Sequence, residues 1–525
     1  MKILTTFIAV LLLMQSTVRA EEPRRSISRS ETSPARPNVL FITADDLGLQ
    51  LGCYGDTVIE TPQIDALAAS GVQFDVAYVA QASCSPSRSA MFTGLYVHAT
   101  GQYGLTARGY FALHPHLRDA TIPNILKRAG YRTGIIGKLH VAPGTSFQFD
   151  YRRTNHVEAR QVKLVAQRAS EFMTQCGQQP FFLMVNYTDP HAYRHRDAET
   201  NKIVGDWTFL DRVEGIPETL VQPSAKTIFP FQQIDSLEQR KRVAGYYNEV
   251  KRLDTGVGLL LETLKRHGHA DNTLVIFIGD NGPPFNRGKA TSYEGGLRTP
   301  FLVRWPGVSK PMRSSAMVST VDILPTILDA TGAKTDVEMH GRSLRPVLEN
   351  ADAPWREFLV GEFHVHGPPW FPQRAIRDGR YKLIHNLLAD STRPSGEIDG
   401  DIGYSTSRDQ RYAGTHIRTA FDTYAEPPEF ELYDLASDPW EFHNLAGNAE
   451  HAEAEQRLKT ALEAWRHETN DPALDPAFHD QIKQQFASPK RPGGAARGSR
   501  ATGARWRSWP KAKRERQQMD KEKLK

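Results

Sequence analysis

Cysteine is scarce in this chain, with three in 525 residues. Three thiols cannot build a dense disulfide scaffold or a four-cysteine zinc site. Long apolar runs are missing after the first twenty residues, so no later stretch approaches the length of a membrane-spanning helix. No internal repeat is present. A one-signed charge is also missing from the body of the chain. The formal net charge is +5, but Ala487–Lys525 alone holds 13 Lys+Arg against 3 Asp+Glu, and Lys2 and Arg19 add to the leader. Glu21–Phe486 is therefore net acidic. The basic balance belongs to a tail, and no nucleic-acid partner is expected. What the chain does have is an apolar fraction of 39%. That is enough for a large core and excludes wholesale disorder, in a length suited to roughly two to four domains.

Met1–Ala20 reads as a secretory signal peptide. Lys2 supplies the positive n-region, Ile3–Met14 the apolar core, and Val18-Arg19-Ala20 a small-x-small cleavage site. The run is short for a membrane span, which leaves an uncleaved anchor as the alternative. The expectation is export to a periplasmic, extracellular or lysosome-like compartment without stable membrane insertion. Residues 21–36 form a polar lead-in. Residues 487–525, rich in Gly, Pro, Arg and Lys, are expected to be disordered. Trp506 and Trp509 among Arg505, Arg507 and Lys511 allow a second reading of this tail as a polyanion-binding arm.

Four short apolar runs end in reactive side chains. Asn38–Thr43 precedes Asp45 and Asp46, and Thr133–Ile136 precedes Lys138 and His140. Phe181–Asn186 precedes Asp189 and His191, and Thr273–Ile278 precedes Asp280 and Asn281. Such continuous runs suit strands buried on both faces. Ile64–Ser70, Thr121–Ala129 and Leu253–His267 carry helical spacing between them. The alternation predicts an α/β fold over residues 37–350, with a central mixed, largely parallel sheet flanked by helices. Ligands in such sheets bind beyond the carboxyl ends of the strands, where all four polar clusters lie. After about Pro346 the pattern changes. Arg374–His385 reads as strand–turn–strand around Asp378-Gly379, Glu429–Tyr433 as a strand and Ala452–His467 as a helix. Residues 351–486 are read as a smaller α+β subdomain with an antiparallel sheet, in which Leu388–Tyr424 is a long insert or loop.

Asp45, Asp46, Asp280 and Asn281 offer three carboxylates and a carboxamide. Grouped carboxylates repel unless a cation sits among them, and an all-oxygen set selects calcium or magnesium. Either pair taken alone also suits a helix cap or a turn. Cys84-Ser85-Pro86-Ser87-Arg88 is followed by a helix-like segment, which places Cys84 near backbone N–H groups that favour anions, with the permanent charge of Arg88 one turn on. A structural or disulfide cysteine is the plainer reading. Lys138, His140, His191 and Lys289, each taken singly, are equally compatible with ordinary polar or surface residues.

Taken together these residues carry a family resemblance. Cys84–Arg88 with Thr93-Gly94 (C-x-P-S-R-x-x-x-x-T-G) resembles the first signature of the type I sulfatases of the alkaline phosphatase superfamily. Gly130–His140 (G-Y-x-T-x-x-x-G-K-x-H) resembles the second. The resemblance runs from about Asn38 to Trp305 and more loosely beyond. It implies an alkaline-phosphatase-like fold and conversion of Cys84 to Cα-formylglycine by a dedicated maturation enzyme. Asp45, Asp46, Asp280 and Asn281 match the calcium ligands, completed by an oxygen at position 84; magnesium is the lesser alternative. Arg88, Lys138 and His140 match the groups around the formylglycine. His191 matches the histidine on the sulfate and leaving group, and Lys289 the second sulfate-binding lysine. Tyr293-Glu294-Gly295-Gly296 with Arg298 and Pro300 matches the loop under the site.

The implied reaction is hydrolysis of a sulfate ester or sulfamate on a sulfated glycan. One hydroxyl of the hydrate attacks sulfur, and the second lets the covalent sulfate leave by elimination. Cys84–Gly104, Arg132–Pro143 and Asp254–Phe285 look most like heparan N-sulfatases. Gly288–Gly296 departs from that subgroup and looks like the ester sulfatases, so N- and O-linked sulfate both stay open. The alternatives are a phosphonate or phosphodiester hydrolase of the same superfamily, or a non-catalytic sulfated-glycan binder. Cys53 and Cys176 are left as a disulfide pair or two free thiols. His98, His114 and His116 match no motif and are read as surface or substrate-rim residues. Asn186-Tyr187-Thr188 fits a glycosylation site only formally, because it falls at a strand end. Oligomeric state is not encoded in any motif.

Overall fold

The computed structural model describes residues 36–487, apart from 107–108, 198–199, 201, 211–218, 368 and 390–397. The expected signal peptide, the lead-in up to residue 35 and the basic tail beyond 487, with the arm read there, lie outside the described residues. Eight strands form the main sheet: β1 (Asn38–Ala44), β2 (Val72–Phe74), β3 (Arg132–Gly137), β4 (Tyr151–Arg153), β5 (Phe181–Tyr187), β6 (Thr273–Gly279), β7 (Phe301–Arg304) and β8 (Met312–Ser314). Their order is β8-β2-β7-β6-β1-β5-β3-β4. β1 runs parallel to both β5 and β6, and β3 parallel to β5 and β4. Only β7 opposes its neighbours β6 and β2. The sheet is mixed and largely parallel, as the four apolar runs predict.

Those runs are continuous because both faces are covered. Leu40 and Ile42 join Leu183, Val185, Val275 and Phe277 on one face. The helices α1 (Pro62–Ala69), α4 (Val162–Cys176) and α5 (Leu237–Arg266) pack there through Leu67, Phe172 and Leu253. Val39 and Phe41 join Phe182, Met184, Leu274 and Ile276 on the other face. They are covered by α3 (Ile122–Arg128) and α6 (Ile323–Thr331). Each large apolar side chain buried in this way contributes about 1.5–3 kcal/mol before entropy is subtracted. The remaining helix of this part, α2 (Cys84–Thr93), is buried along its whole length.

Register aligns the strand ends. Ala44 pairs with Tyr187 on one side and Gly279 on the other, and Gly137 pairs with Asn186. All four chains therefore leave the sheet at one edge. A second sheet of β9 (Leu359–Phe363), β10 (Gln373–Arg377), β11 (Tyr381–Asn386) and β12 (Phe430–Asp434) is antiparallel in chain order. The predicted turn at Asp378-Gly379 is present, with Asp378 Oδ1 accepting from the N–H groups of Arg380 and Tyr381 at 2.6 Å each. Helix α8 (Ala452–Glu468) covers this sheet through Leu458 and Leu462.

Three expectations need correction, and one open alternative is decided. Helix α5 starts sixteen residues before the predicted Leu253, at Leu237, where the Ser236 side chain caps it by accepting from Gln239 N–H. Leu388–Tyr424 is not simply a loop. Gly403–Thr406 is a helical turn, and α7 (His416–Ala425) buries Ala420, Phe421 and Tyr424; that stripe is too short to stand out in a polar stretch. His98 is neither a surface nor a rim residue, being 2% exposed. Its Nδ1 is ion-paired with Glu362, and its Nε2 lies 3.0 Å from Thr469 O. Cys53 and Cys176, left open between a disulfide pair and two free thiols, are free thiols. No helix among the described residues is long and apolar enough to cross a membrane.

Candidate functional site

The aligned strand ends bring together all the residues singled out for chemistry. Asp45 and Asp46 leave β1, Lys138 and His140 leave β3, Asp189 and His191 leave β5, and Asp280 and Asn281 leave β6. Asp46 and His140 take positive φ values of 68° and 55°, which turn the chain back across the sheet edge. Asp tolerates this region better than most residues. Cys84 is the first residue of α2, after Ser83 in extended conformation. Arg88 lies four residues on, so it shares the face of the helix that carries Cys84.

Cys84 Sγ is 3.3 Å from Asp45 Oδ1 and 3.8 Å from Asp46 Oδ1. Arg88 is fully buried. Its Nε donates to Asp280 Oδ2 at 2.8 Å, and Nη1 donates to Asn186 Oδ1 at 2.9 Å and Lys138 O at 3.1 Å. Lys138 Nζ is ion-paired with Asp45. Lys289 Nζ bridges Asp46 Oδ2 at 2.8 Å and Asp399 Oδ2 at 2.9 Å. His191 Nε2 is 3.7 Å from Asp46 Oδ2, while its Nδ1–H donates to Ala192 O at 2.6 Å. Asp46 N–H donates to Asp280 Oδ1 at 3.0 Å, and Asn281 Nδ2 donates to Asp46 Oδ1 at 2.7 Å.

Three carboxylates and three cations thus share a dry space, and their titration is strongly displaced. Burial pushes Asp45 up, but Lys138, His191, Arg88 and Lys289 outweigh it and hold its carboxyl well below the usual range. Asp46 is raised to about 6 by burial and by Asp45, with Lys289 opposing. Asp280 is raised to about 7 by burial and by Asp45. Burial, then Lys289, lowers His191 to about 3, and burial with Lys138 holds His140 well below its ordinary value. Both imidazoles are neutral. Burial and the adjacent Asp45 charge keep the Cys84 thiol protonated. A thiolate nucleophile is the wrong chemistry for this environment, because the neighbouring carboxylate disfavours it.

A hard cation fits the acidic set. One ligand atom each from Asp45, Asp46, Cys84 and His191 lies within 4.8 Å of the others. Asn281 Oδ1 is buried without a hydrogen-bond partner among the described residues, an acceptor left open to a ligand. Burial first, and the neighbouring Asp45 charge after it, raise the Asp46 and Asp280 carboxyls, and a divalent cation among them would offset both effects. The oxygen donors of Asp45, Asp46 and Asn281 suit calcium or magnesium, whereas Asp280, predicted with them, stands outside the 4.8 Å group and accepts from Asp46 N–H and Arg88 Nε.

Several participants carry no motif. Asp399 lies in the stretch read as a loop. Asp189 is clamped by Arg252 through Nε at 2.5 Å and Nη2 at 2.8 Å, and Arg160 is ion-paired with both Asp189 and Glu249. His156 sits edge-on to His191, ring centroids 5.7 Å apart. Ser83 Oγ is 2.9 Å from His366 Nδ1. Only the Asp189 cluster left a trace in sequence, as an acidic residue beside a histidine at a strand end. Asn186 is buried and bonded to Thr43 and Arg88, which does not suit glycan attachment.

Comparison with known proteins matches this arrangement to one family. The family model described as Sulfatase matches residues 37–333, and that described as N-sulphoglucosamine sulphohydrolase, C-terminal, matches residues 287–392. The chain is 33% identical over 484 residues to human N-sulphoglucosamine sulphohydrolase, covering 86% of this chain and 95% of that protein. It is 30% identical to human arylsulfatase A, covering 82% and 88%. A solved enzyme bound to its substrate D-glucosamine-2-N,6-O-disulfate has the same fold, with a TM-score of 0.61, 23% identity, and coverage of 83% of this chain and 98% of that one.

Proposed function

The chain belongs to the sulfatase family and is by that membership a sulfuric ester hydrolase; from this premise we propose that it removes sulfate from a sulfated glycan, with Cys84 matured to formylglycine and calcium held by Asp45, Asp46, Asp280 and Asn281. The observation that carries the reading is Cys84 itself. It opens a buried helix 3.3 Å from Asp45, inside a ring made by Arg88, Lys138 and Lys289. A protonated thiol is inert there, whereas a residue bearing hydroxyls is surrounded by groups that suit its chemistry.

Once matured, position 84 supplies a hydrate with one hydroxyl to attack sulfur and a second through which sulfate is released. Bound calcium supplies Lewis acidity that lowers the nucleophile's proton affinity and offsets charge on sulfuryl oxygens. The chain's own groups do the rest. Arg88 fixes the helix start against Asp280. Lys138 and Lys289 present preorganised positive charge to the sulfuryl oxygens in a site that excludes water. His191 is neutral, and its Nδ1–H is held by Ala192 O, so its Nε2 accepts rather than donates. This supports Lys289, which Asp399 and Asp46 keep charged, as the proton source for the leaving group. His140 is neutral, and its buried Nδ1 has no partner among the described residues, which suits a base that takes the second proton from position 84.

Export through residues 1–20 and action of a maturation enzyme on the Cys84 segment belong to the same proposal. N- and O-linked sulfate are both retained, because the N-sulphoglucosamine sulphohydrolase likeness and the ester-type Gly288–Gly296 loop point to different linkages. The test uses protein from its native host. A peptide mass spectrum across Cys84 is expected to show the aldehyde, and sulfate is expected from N-sulfo- or 6-O-sulfoglucosamine. Turnover of phosphodiesters without sulfate release, or an unaltered thiol in fully active protein, would overturn the reading.

A further inference from the structure

Asp399 is out of place in a pocket for an anion. It adds a fourth carboxylate next to Lys289, and a carboxylate repels sulfate. Its Oδ2 accepts from Lys289 Nζ at 2.9 Å. Its Oδ1 has no hydrogen-bond partner among the described residues, and the side chain keeps 10% exposure where Lys289 keeps 1%. One oxygen is thus tied to the site and the other is available to whatever enters.

The backbone that carries this carboxylate is anchored. Arg242 Nη2 donates to Asp399 O at 3.1 Å, and Nη1 of the same guanidinium donates to Trp207 O at 2.8 Å. Two residues on, Asp401 Oδ2 accepts from Asn286 N–H at 2.7 Å and Gln232 Nε2 at 2.8 Å. Asp399 has φ 47°, a conformation that such anchoring must sustain. Trp207 closes the same corner. Its ring centroid lies 6.0 Å from that of His191, and a Cβ on Gly400 would come within 2.8 Å of Trp207 Cβ. The rim beside His191 therefore combines a half-buried indole with a fixed hydrogen-bond acceptor. These are the groups that meet a sugar ring, which offers apolar C–H faces and hydroxyl donors.

We infer that Asp399 is a specificity residue that accepts a hydrogen bond from a hydroxyl or amino group of the sugar ring bearing the scissile sulfate, with Trp207 as the adjoining wall; this rests on the sulfated-glycan reading above. A ring carrying a carboxylate at that position would be repelled. A residue that only positions Lys289 would affect all sulfated compounds alike, so the test is a ratio.

The experiment compares kcat/KM for N-sulfoglucosamine with that for cyclohexyl sulfamate, and for 6-O-sulfoglucosamine with cyclohexylmethyl sulfate. Each pair shares a linkage and differs in ring donors. The unmutated enzyme is expected to favour the sugar by roughly ten- to hundredfold, the effect of a hydrogen bond to a charged group. Asp399→Leu should collapse that ratio through KM of the sugar, and Asp399→Asn, which keeps an acceptor oxygen, should restore part of it. Any loss common to both compounds belongs to Lys289. A wild-type ratio near one, or a ratio unchanged in Asp399→Leu, would overturn the assignment alone. Sulfate release from none of the four compounds would overturn the function proposed above together with this assignment.

Discussion

Arg88 Nε donates to Asp280 Oδ2 at 2.8 Å, and both side chains are fully buried although 192 residues separate them in the chain. The pair fastens the helix that carries Cys84 to the end of β6. Removing one partner leaves an uncompensated buried charge, which costs about 3–5 kcal/mol. Arg88→Ala is expected to lose that much in urea unfolding and to abolish sulfate release. Arg88→Lys should fold but lose most activity, because one ammonium cannot also reach Asn186 and Lys138 O as the guanidinium fork does. Wild-type turnover by Arg88→Lys would show that the fork is not required.

On the proposed function, Cys84 contributes chemistry rather than packing. Cys84→Ala removes one small buried group and should cost about 1 kcal/mol in urea unfolding, with no sulfate release at any enzyme concentration. Cys84→Ser presents a single hydroxyl. It is expected to accumulate covalent sulfate, visible in the intact mass, unless a serine-competent maturase acts on it. Sustained turnover by a serine variant shown to be unmodified would contradict the elimination step.

Cation binding should be linked to protons. Asp46 and Asp280 are raised to about 6 and about 7 without a metal, in both cases by burial first. Groups raised in the folded state stabilise the metal-free protein most below the unfolded carboxyl value of about 3.9, and that contribution fades as pH climbs through 6 to 7. Calcium needs the same groups ionised. Titration calorimetry in buffers of different ionisation enthalpy should show proton release on calcium binding that is greater at about pH 6 than at about pH 8, with apparent affinity weakening as pH falls. Saturating calcium at about 100 times Kd should restore about 2.7 kcal/mol to chelator-treated protein. Proton release that does not vary with pH would remove Asp46 and Asp280 from the ligand set.

Gly137 stands at the last position of β3, immediately before Lys138. Its φ is +88°, and a Cβ there would lie 1.9 Å from Asn186 O. Backbone on a neighbouring strand cannot give way cheaply, and L side chains disfavour this φ by roughly 1–2 kcal/mol. Gly137→Ala should destabilise the protein by at least 2 kcal/mol and lower kcat by displacing Lys138 and His140. A thermal midpoint unchanged from wild type would show that the β3 end is softer than its packing indicates.

The central strands and the residues at their ends were legible in one dimension. Asn38–Thr43, Phe181–Asn186 and Thr273–Ile278 are unbroken apolar runs because each is buried on two faces, and such burial marks every position in turn. Cys84, Arg88, Lys138 and His140 were legible because they sit in two fixed spacings, and both lie inside residues 37–333 that the family model matches. Short strands such as β2 and β8 are three residues each, too few to display a period. Helix α7 hid in a polar stretch, since only one side of it is buried. His98 was misread because a buried histidine with a carboxylate partner has the same letter as a solvated one.

Residue type and spacing by themselves determined the fold class and the family, and they carry the proposed roles of Cys84 and the acidic set, because those depend on local burial patterns and contiguous motifs. The tertiary structure alone decided the neutrality of His140 and His191, the clamp of Arg160 and Arg252 on Asp189, and the meeting of Asp399 with Lys289 across 110 residues. Charge pairing and desolvation are set by distance in space, and separations of that length leave no periodic or local trace in the chain.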